Sequence, residues 1–148
     1  MRPVLQADLD RALRSNFPLF LFMAFRSLHG DKNPRWNWHI DAMCHALEAT
    51  WSEEGGRLLI TVPPRHLKSI ATSVAFVAWL MGKDPTLKVI VASYGSELGN
   101  VLDAQFKAVV AAPWFQRAFP KFKVKRSPEG ELTTTLGGYR KAIYVCWD

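Results

Sequence analysis

Apolar residues recur along the first part of the chain at the spacing of a helix face. From Val4 to His29, Leu5, Leu9, Ala12 and Leu13 form one stripe between polar positions, and a more apolar second stretch follows Pro18. A proline inside such a pattern ends or kinks a helix, so a break is expected near Asn16. Gly30 to Asn37 (GDKNPRWN) is rich in turn residues. His39 to Glu54 then predicts an amphipathic helix with Ile40, Met43, Cys44 and Leu47 on one face, closed by Gly55 and Gly56. From here the pattern changes. Arg57 to Val62 (RLLITV) is a short, partly β-branched apolar run, expected as a buried strand. Pro63 to Leu67 breaks it, and Lys68 to Met81 predicts an apolar helix with Gly82 past its end. Leu87 to Ser93 (LKVIVAS) predicts a second buried strand, and Glu97 to Ala112 a helix with Ser96 as its N-cap. Further on, Lys121 to Arg126 and Glu131 to Thr135 flank a Ser-Pro-Glu-Gly turn and predict a hairpin. Strand, helix, strand, helix in that order implies a parallel sheet with right-handed crossovers, and the expected fold class is α/β.

Composition narrows the classes. The chain has 148 residues, 49% of them hydrophobic and 22% charged, which fits one ordinary domain and excludes a disordered or low-complexity chain. The longest apolar run, Phe17 to Phe25, contains Pro18 and is far short of a membrane span. It also lacks the flanks of a signal peptide, so no membrane association is expected. Two cysteines, Cys44 and Cys146, make neither a disulfide framework nor a metal-ligand spacing, and a reducing, cytoplasmic compartment is the expectation. The net charge of +6 is uneven: residues 1–56 balance to −1 and residues 57–148 to +7. A polyanionic partner, either nucleotide phosphates or nucleic acid, fits this asymmetry, and so does a solubilising surface.

The residues that carry chemistry lie between Thr61 and Ser69 (TVPPRHLKS). A strand, a tight loop and Lys-Ser opening a helix form the architecture of a phosphate-binding loop. The helix start offers unpaired N–H groups and the positive end of a dipole, Lys68 adds a full charge, and the Ser69 hydroxyl can ligate Mg²⁺. Yet Pro64 to Ser69 contains no glycine, and Leu67 stands where the phosphate-loop pattern has the glycine before its lysine. A positive φ at Leu67 would store roughly 1 kcal/mol or more. On this pattern alone, an ordinary strand-to-helix turn with a solvated lysine is the stronger reading. Ser93 and Tyr94 fall at the carboxyl end of the second strand, where ligand contacts occur in open sheets; a packed aromatic is the plainer role for Tyr94. His45 has no partner at metal spacing and reads as structural. Lys121, Lys123 and Lys125 alternate with Phe122 and Val124, and Arg126 follows. Such a face suits a DNA backbone, and equally a solvated edge strand guarded by lysines, which is the more common case.

Several segments in order resemble one family. P-P-R-H-L-K-S (Pro63 to Ser69), V-A-S-Y-G-S-E-L (Val91 to Leu98) and A-P-W-F-Q-R-A-F-P (Ala112 to Pro120) are similar to the large terminase subunits of tailed phages and prophages. Upstream, W-H-I-D-A-M-C-H-A-L-E (Trp38 to Glu48) leading into R-L-L-I-T-V-P-P-R-H also resembles that family's approach to its ATPase. The resemblance spans roughly residues 36–140. It implies a DNA-packaging motor with an N-terminal ATPase of P-loop type and a C-terminal nuclease of RNase H-like fold. Its partners would be double-stranded phage DNA, the portal protein and the small terminase subunit, within a bacterial host. By resemblance, Pro64, Arg65, His66, Leu67, Lys68 and Ser69 would form the ATP loop, with Lys68 on the β- and γ-phosphates and Ser69 on Mg²⁺. Arg65 would be the loop arginine that senses or stabilises the γ-phosphate. Trp38 and His39 would stand near the adenine, against a plainer reading of His39 as a cap or partly buried residue.

The resemblance also defines what is missing. In the family, a segment like T-T-L-G-G-Y-R (Thr134 to Arg140) leads to a Gly-rich stretch and then to paired acids that hold Mg²⁺ and activate water. Here the similarity stops near Ala142, and Ala142 to Asp148 only superficially resembles a strand ending in an acid. The expected organisation is a helical segment over 1–36, a partial P-loop ATPase over 37–142 whose later core strands are absent, and a divergent tail over 143–148. The expected function is the front part of a packaging ATPase, inert on its own. Two alternatives remain: a non-catalytic DNA- or partner-binding remnant using the basic half, and a small phosphotransferase, for which no acceptor site or base stands out.

Overall fold

A computed structural model describes residues 3–145, so Cys146 and Asp148 lie outside the described residues. The helical opening is two helices rather than one. Helix α1 (Pro3–Ser15) stops where Asn16 caps α2 (Phe17–Leu28), its side-chain oxygen accepting from Leu19 N–H at 2.9 Å. Pro18 sits in the first turn of α2, where its missing N–H would have had no helical partner. Helix α3 (Trp38–Ser52) is capped by Asn37 and buries Ile40, Met43 and Cys44. Burial, and after it Glu48 and Asp41, push the Cys44 thiol up to about 12.

The centre of the molecule is the helix over 68–83. It begins at Lys68, passes through a π-helical segment (Ile70–Ala75) and continues as α4 (Phe76–Lys83), every residue of which from Phe76 to Gly82 is buried. The stretch from Phe76 to Gly82 has no solvent face, which accounts for its lack of charged residues. Around it α2, α5 (Ser96–Ala111) and α6 (Pro113–Ala118) supply an aromatic core, to which α1 adds Leu13. Phe17 meets Phe76 edge-on at 5.0 Å, and Phe115 meets Phe119 at 4.8 Å. The buried Trp79 indole donates to the Leu13 carbonyl at 3.0 Å, satisfying its one polar atom.

The sheet has four strands in the order β1 (Lys88–Tyr94), β4 (Tyr139–Val145), β3 (Glu131–Thr134), β2 (Val124–Arg126). Strands β1 and β4 are parallel, from Lys88 opposite Tyr139 to Tyr94 opposite Val145, and the β2–β3–β4 remainder is antiparallel. The architecture is thus α/β with a mixed sheet, and the hairpin expected around Ser127–Gly130 is present. At the β3–β4 turn, Thr134 Oγ1 accepts from Gly138 N–H at 3.0 Å and donates to the Pro85 carbonyl. Gly138 packs so closely on that carbonyl that no Cβ fits, while Gly137 takes φ +89°. The T-T-L-G-G segment therefore pins the hairpin to the start of β1.

Three expectations are corrected. Arg57–Val62 is not a strand: it has no pairing, and Leu59 is 90% exposed. A strand needs a neighbour for its backbone groups, and β1 instead takes β4 as its parallel partner while its other edge stays open. The sheet is mixed rather than parallel, because the hairpin folds back onto β4. Finally, α5 is capped at Gly95 (φ +82°), with Ser96 already inside the helix. One face of the sheet packs on the helices through Val89, Val91, Leu132 and Arg140, while Ile90, Tyr94, Ile143 and Val145 on the opposite face are exposed.

Candidate phosphate-binding site

The loop before helix 68–83 turns sharply without using glycine. Arg65 (φ +66°) and Leu67 (φ +61°) both adopt the left-handed conformation, on either side of His66. Each such residue stores about 1–2 kcal/mol, so the surroundings must hold the loop in place. The His66 side chain supplies one restraint. Its Nδ1 lies 2.9 Å from the Pro64 carbonyl and 3.1 Å from the Pro63 carbonyl, so the N–H at this position donates to both. Leu67 supplies two more, packing partly buried on the core and accepting the first helical bond from Ala71 N–H at 2.8 Å. Lys68 and Ser69 then occupy the first helical positions, Lys68 exposed and Ser69 half-buried.

A cavity of about 560 Å³ opens over this loop, lined by residues 62–70, by Phe25 of α2 and by His29 at its C-terminal end. Pro64, Arg65, His66, Leu67, Lys68 and Ser69 thus all face one space. Its chemistry favours an anion: two cationic side chains, the helix's first N–H groups and no carboxylate among the lining residues. A second cavity of about 440 Å³ shares Phe25, Arg65, His66 and Leu67 with the first and adds Pro34 to Asn37, His39 and Ile40. The His39 ring approaches that of His66 at 5.3 Å, while Trp38 is 75% exposed and lines neither cavity. Trp36 lines the second cavity instead, its indole fixed by a 2.9 Å bond to Asp41 Oδ1.

Other candidates lie elsewhere. Ser93 is half-buried, and Tyr94 is 75% exposed rather than packed, at the end of β1. Tyr94 lines a separate cavity with the start of α5. His45 is exposed on α3. Lys121, Lys123, Lys125 and Arg126 are all exposed, but the strand begins only at Val124, which is 44% exposed against fully buried Phe122. The alternation expected of that run therefore holds for Phe122 and not for Val124.

Among the described residues, no group of three or more His, Cys, Asp or Glu side chains could hold a metal ion. The loop's only oxygen donor of the right type is Ser69, which suits Mg²⁺ carried by a nucleotide, since such an ion takes most of its ligands from phosphates and water. Asp103, an acid following β1, is buried and engaged by Lys107 at 2.6 Å and Arg140 at 3.4 Å. Glu97 stands exposed in the first turn of α5. The site can hold and neutralise phosphoryl oxygens, but no carboxylate lines it to orient an attacking water. Sequence reasoning missed Phe25, His29, Arg35 and Trp36, because the chain brings α2 and the 30–37 turn to the loop only through tertiary packing.

Comparison with protein-family models, with curated proteins and with solved structures found no match to this chain.

Proposed function

We propose that this chain is the nucleotide-binding front part of a phage DNA-packaging ATPase of large-terminase type, with Arg65 to Ser69 holding the phosphates of Mg-ATP. The observation that carries the reading is the left-handed conformation of Leu67, the residue before Lys68, at the head of a helix beneath an anion-suited cavity. Phosphate loops use glycine there because the backbone must turn in this way. Leu67 adopts that turn at an energetic cost. In this reading Lys68 neutralises the β- and γ-phosphates, Arg65 reaches the γ-phosphate, Ser69 meets Mg²⁺, and the Trp36–His39 side of the second cavity receives the base. Bound Mg²⁺ would supply charge neutralisation between the phosphates. With no carboxylate lining the loop, turnover by this chain is expected to be undetectable.

The test is equilibrium titration of a fluorescent ATP analogue with Mg²⁺ into the wild-type chain and Lys68→Ala. Binding that weakens at least tenfold in Lys68→Ala supports the reading. Equal affinity in both, or no binding by wild type, overturns it. The four exposed cations Lys121, Lys123, Lys125 and Arg126 favour a second reading as a DNA-binding surface. It predicts salt-sensitive, sequence-independent binding of duplex DNA that Lys68→Ala leaves unchanged. The portal protein and small terminase subunit remain the partners that the resemblance proposes.

A further inference from the structure

Arg140 is the largest fully buried side chain among the described residues, and it is a cation. Its environment is specific. From β4 its Nη1 reaches Asp103 Oδ1 on α5 at 3.4 Å, and its Nη2 donates to the Ser73 carbonyl at 3.1 Å. Its guanidinium lies over the Phe106 ring at 4.8 Å. Asp103 is held in turn by Lys107 at 2.6 Å and by Gly130 N–H at 3.1 Å, and Lys107 also donates to the Pro128 carbonyl at 2.7 Å. One carboxylate thus fastens α5, β4 and the hairpin turn, and Arg140 extends that assembly to a single carbonyl of helix 68–83.

Ser73 lies in the π-helical segment, where Phe76 N–H bonds back five residues to Ala71 rather than four. Such segments are local departures from α-helical register and often accompany functional sites. A helix that can shift between π and α turns can also move its first residues, here Lys68 and Ser69, along its axis. An apolar side chain would fill the space of Arg140 at a lower desolvation cost. What only the guanidinium provides is a rigid fork, with one arm on Asp103 and the other on Ser73. We propose that Arg140 is a positioning residue for the phosphate loop: through the Ser73 carbonyl it sets the register of the helix that presents Lys68, and Asp103 holds its fork in place. The proposal rests on the phosphate-loop reading given above.

The test combines amide hydrogen exchange with Mg-ATP titration on the full chain, for wild type, Arg140→Met, Arg140→Lys and Asp103→Asn. Arg140→Met fills the space without the fork, and Arg140→Lys keeps the charge without two fixed donors. Both are expected to exchange at least tenfold faster over 68–77, with α1 and α2 unchanged, and to bind Mg-ATP at least tenfold more weakly. Exchange over 68–77 that stays at the wild-type rate, or that rises equally throughout the chain, overturns the proposal, since a purely structural network gives one or the other. If both Arg140 variants fail to fold, Asp103→Asn decides, because it keeps an oxygen for Gly130 but frees the fork. Wild-type exchange and affinity in Asp103→Asn then overturn the proposal. Failure of the wild-type chain to bind Mg-ATP refutes the phosphate-loop reading, and the exchange pattern still decides whether Arg140 sets the helix.

Discussion

Replacing Leu67 by glycine and, separately, by alanine isolates the conformational cost of the loop. At an ordinary position alanine is the more stabilising of the two by about 0.5–1 kcal/mol, because glycine gains more freedom on unfolding. At φ +61° the order reverses. A Cβ in the left-handed region costs about 1–2 kcal/mol, and only glycine escapes that cost. Both variants lose the same partly buried contacts of the Leu67 side chain with the core, so that loss cancels in the comparison. The expected result is Leu67→Gly more stable than Leu67→Ala by about 0.5–1 kcal/mol. In a chain of this size, that is a difference of about 1–4 °C in melting midpoint. Urea titration of the two variants side by side measures it directly. An alanine variant equal to or more stable than the glycine variant refutes the strained loop, and with it the main support for phosphate binding. Mg-ATP affinity should follow the same order, since glycine leaves the loop free to keep its turn.

Further outcomes follow from other parts of the molecule. A methyl group at Gly82 would stand 2.8 Å from Phe119 Cδ1, so Gly82→Ala is expected to destabilise by about 1–3 kcal/mol in chemical denaturation. The Cys44 thiol, raised to about 12 by burial, should resist alkylation at pH 8 in the native chain and react on unfolding, as mass spectrometry of its tryptic peptide would show. Because its folded value lies above the unfolded one, Cys44 favours folding fully below about pH 9. That contribution is lost as the pH rises towards 12, so the fall in urea midpoint over this range should be smaller in Cys44→Ala. Finally, Ile90 and Ile143 are 58% and 38% exposed on the bare sheet face, and Ile90→Lys with Ile143→Lys should raise the monomer fraction in size-exclusion chromatography.

Where local rules decide, the sequence was legible. The break at Asn16, the helix starting at Lys68 and the hairpin around Ser127–Gly130 all follow from proline, capping and turn chemistry. Arg57–Val62 has the composition of a buried strand, but strand formation also needs a neighbour, and composition carries no information about pairing. The β1–β4 pairing, the Trp36 side of the site and the Arg140–Asp103 contact join segments far apart in the chain. No periodicity within a single segment could reveal them. In the sequence Arg140 stands only at the end of the T-T-L-G-G-Y-R segment, and nothing there points to Asp103 or Ser73.

The parallel pairing of β1 with β4 has a consequence for the nascent chain. Lys88 must wait for Tyr139, about 50 residues further on, before its strand acquires a partner. At about 5–20 residues per second, a ribosome leaves β1 unpaired for several seconds after making it. During that interval Ile90 and Tyr94, which stay exposed even in the finished fold, lie on a strand with both edges open. This is the form in which the chain best suits capture by a holdase chaperone. Its yield in a cell should therefore depend more on translation speed and chaperone supply than on the equilibrium stability of the folded protein.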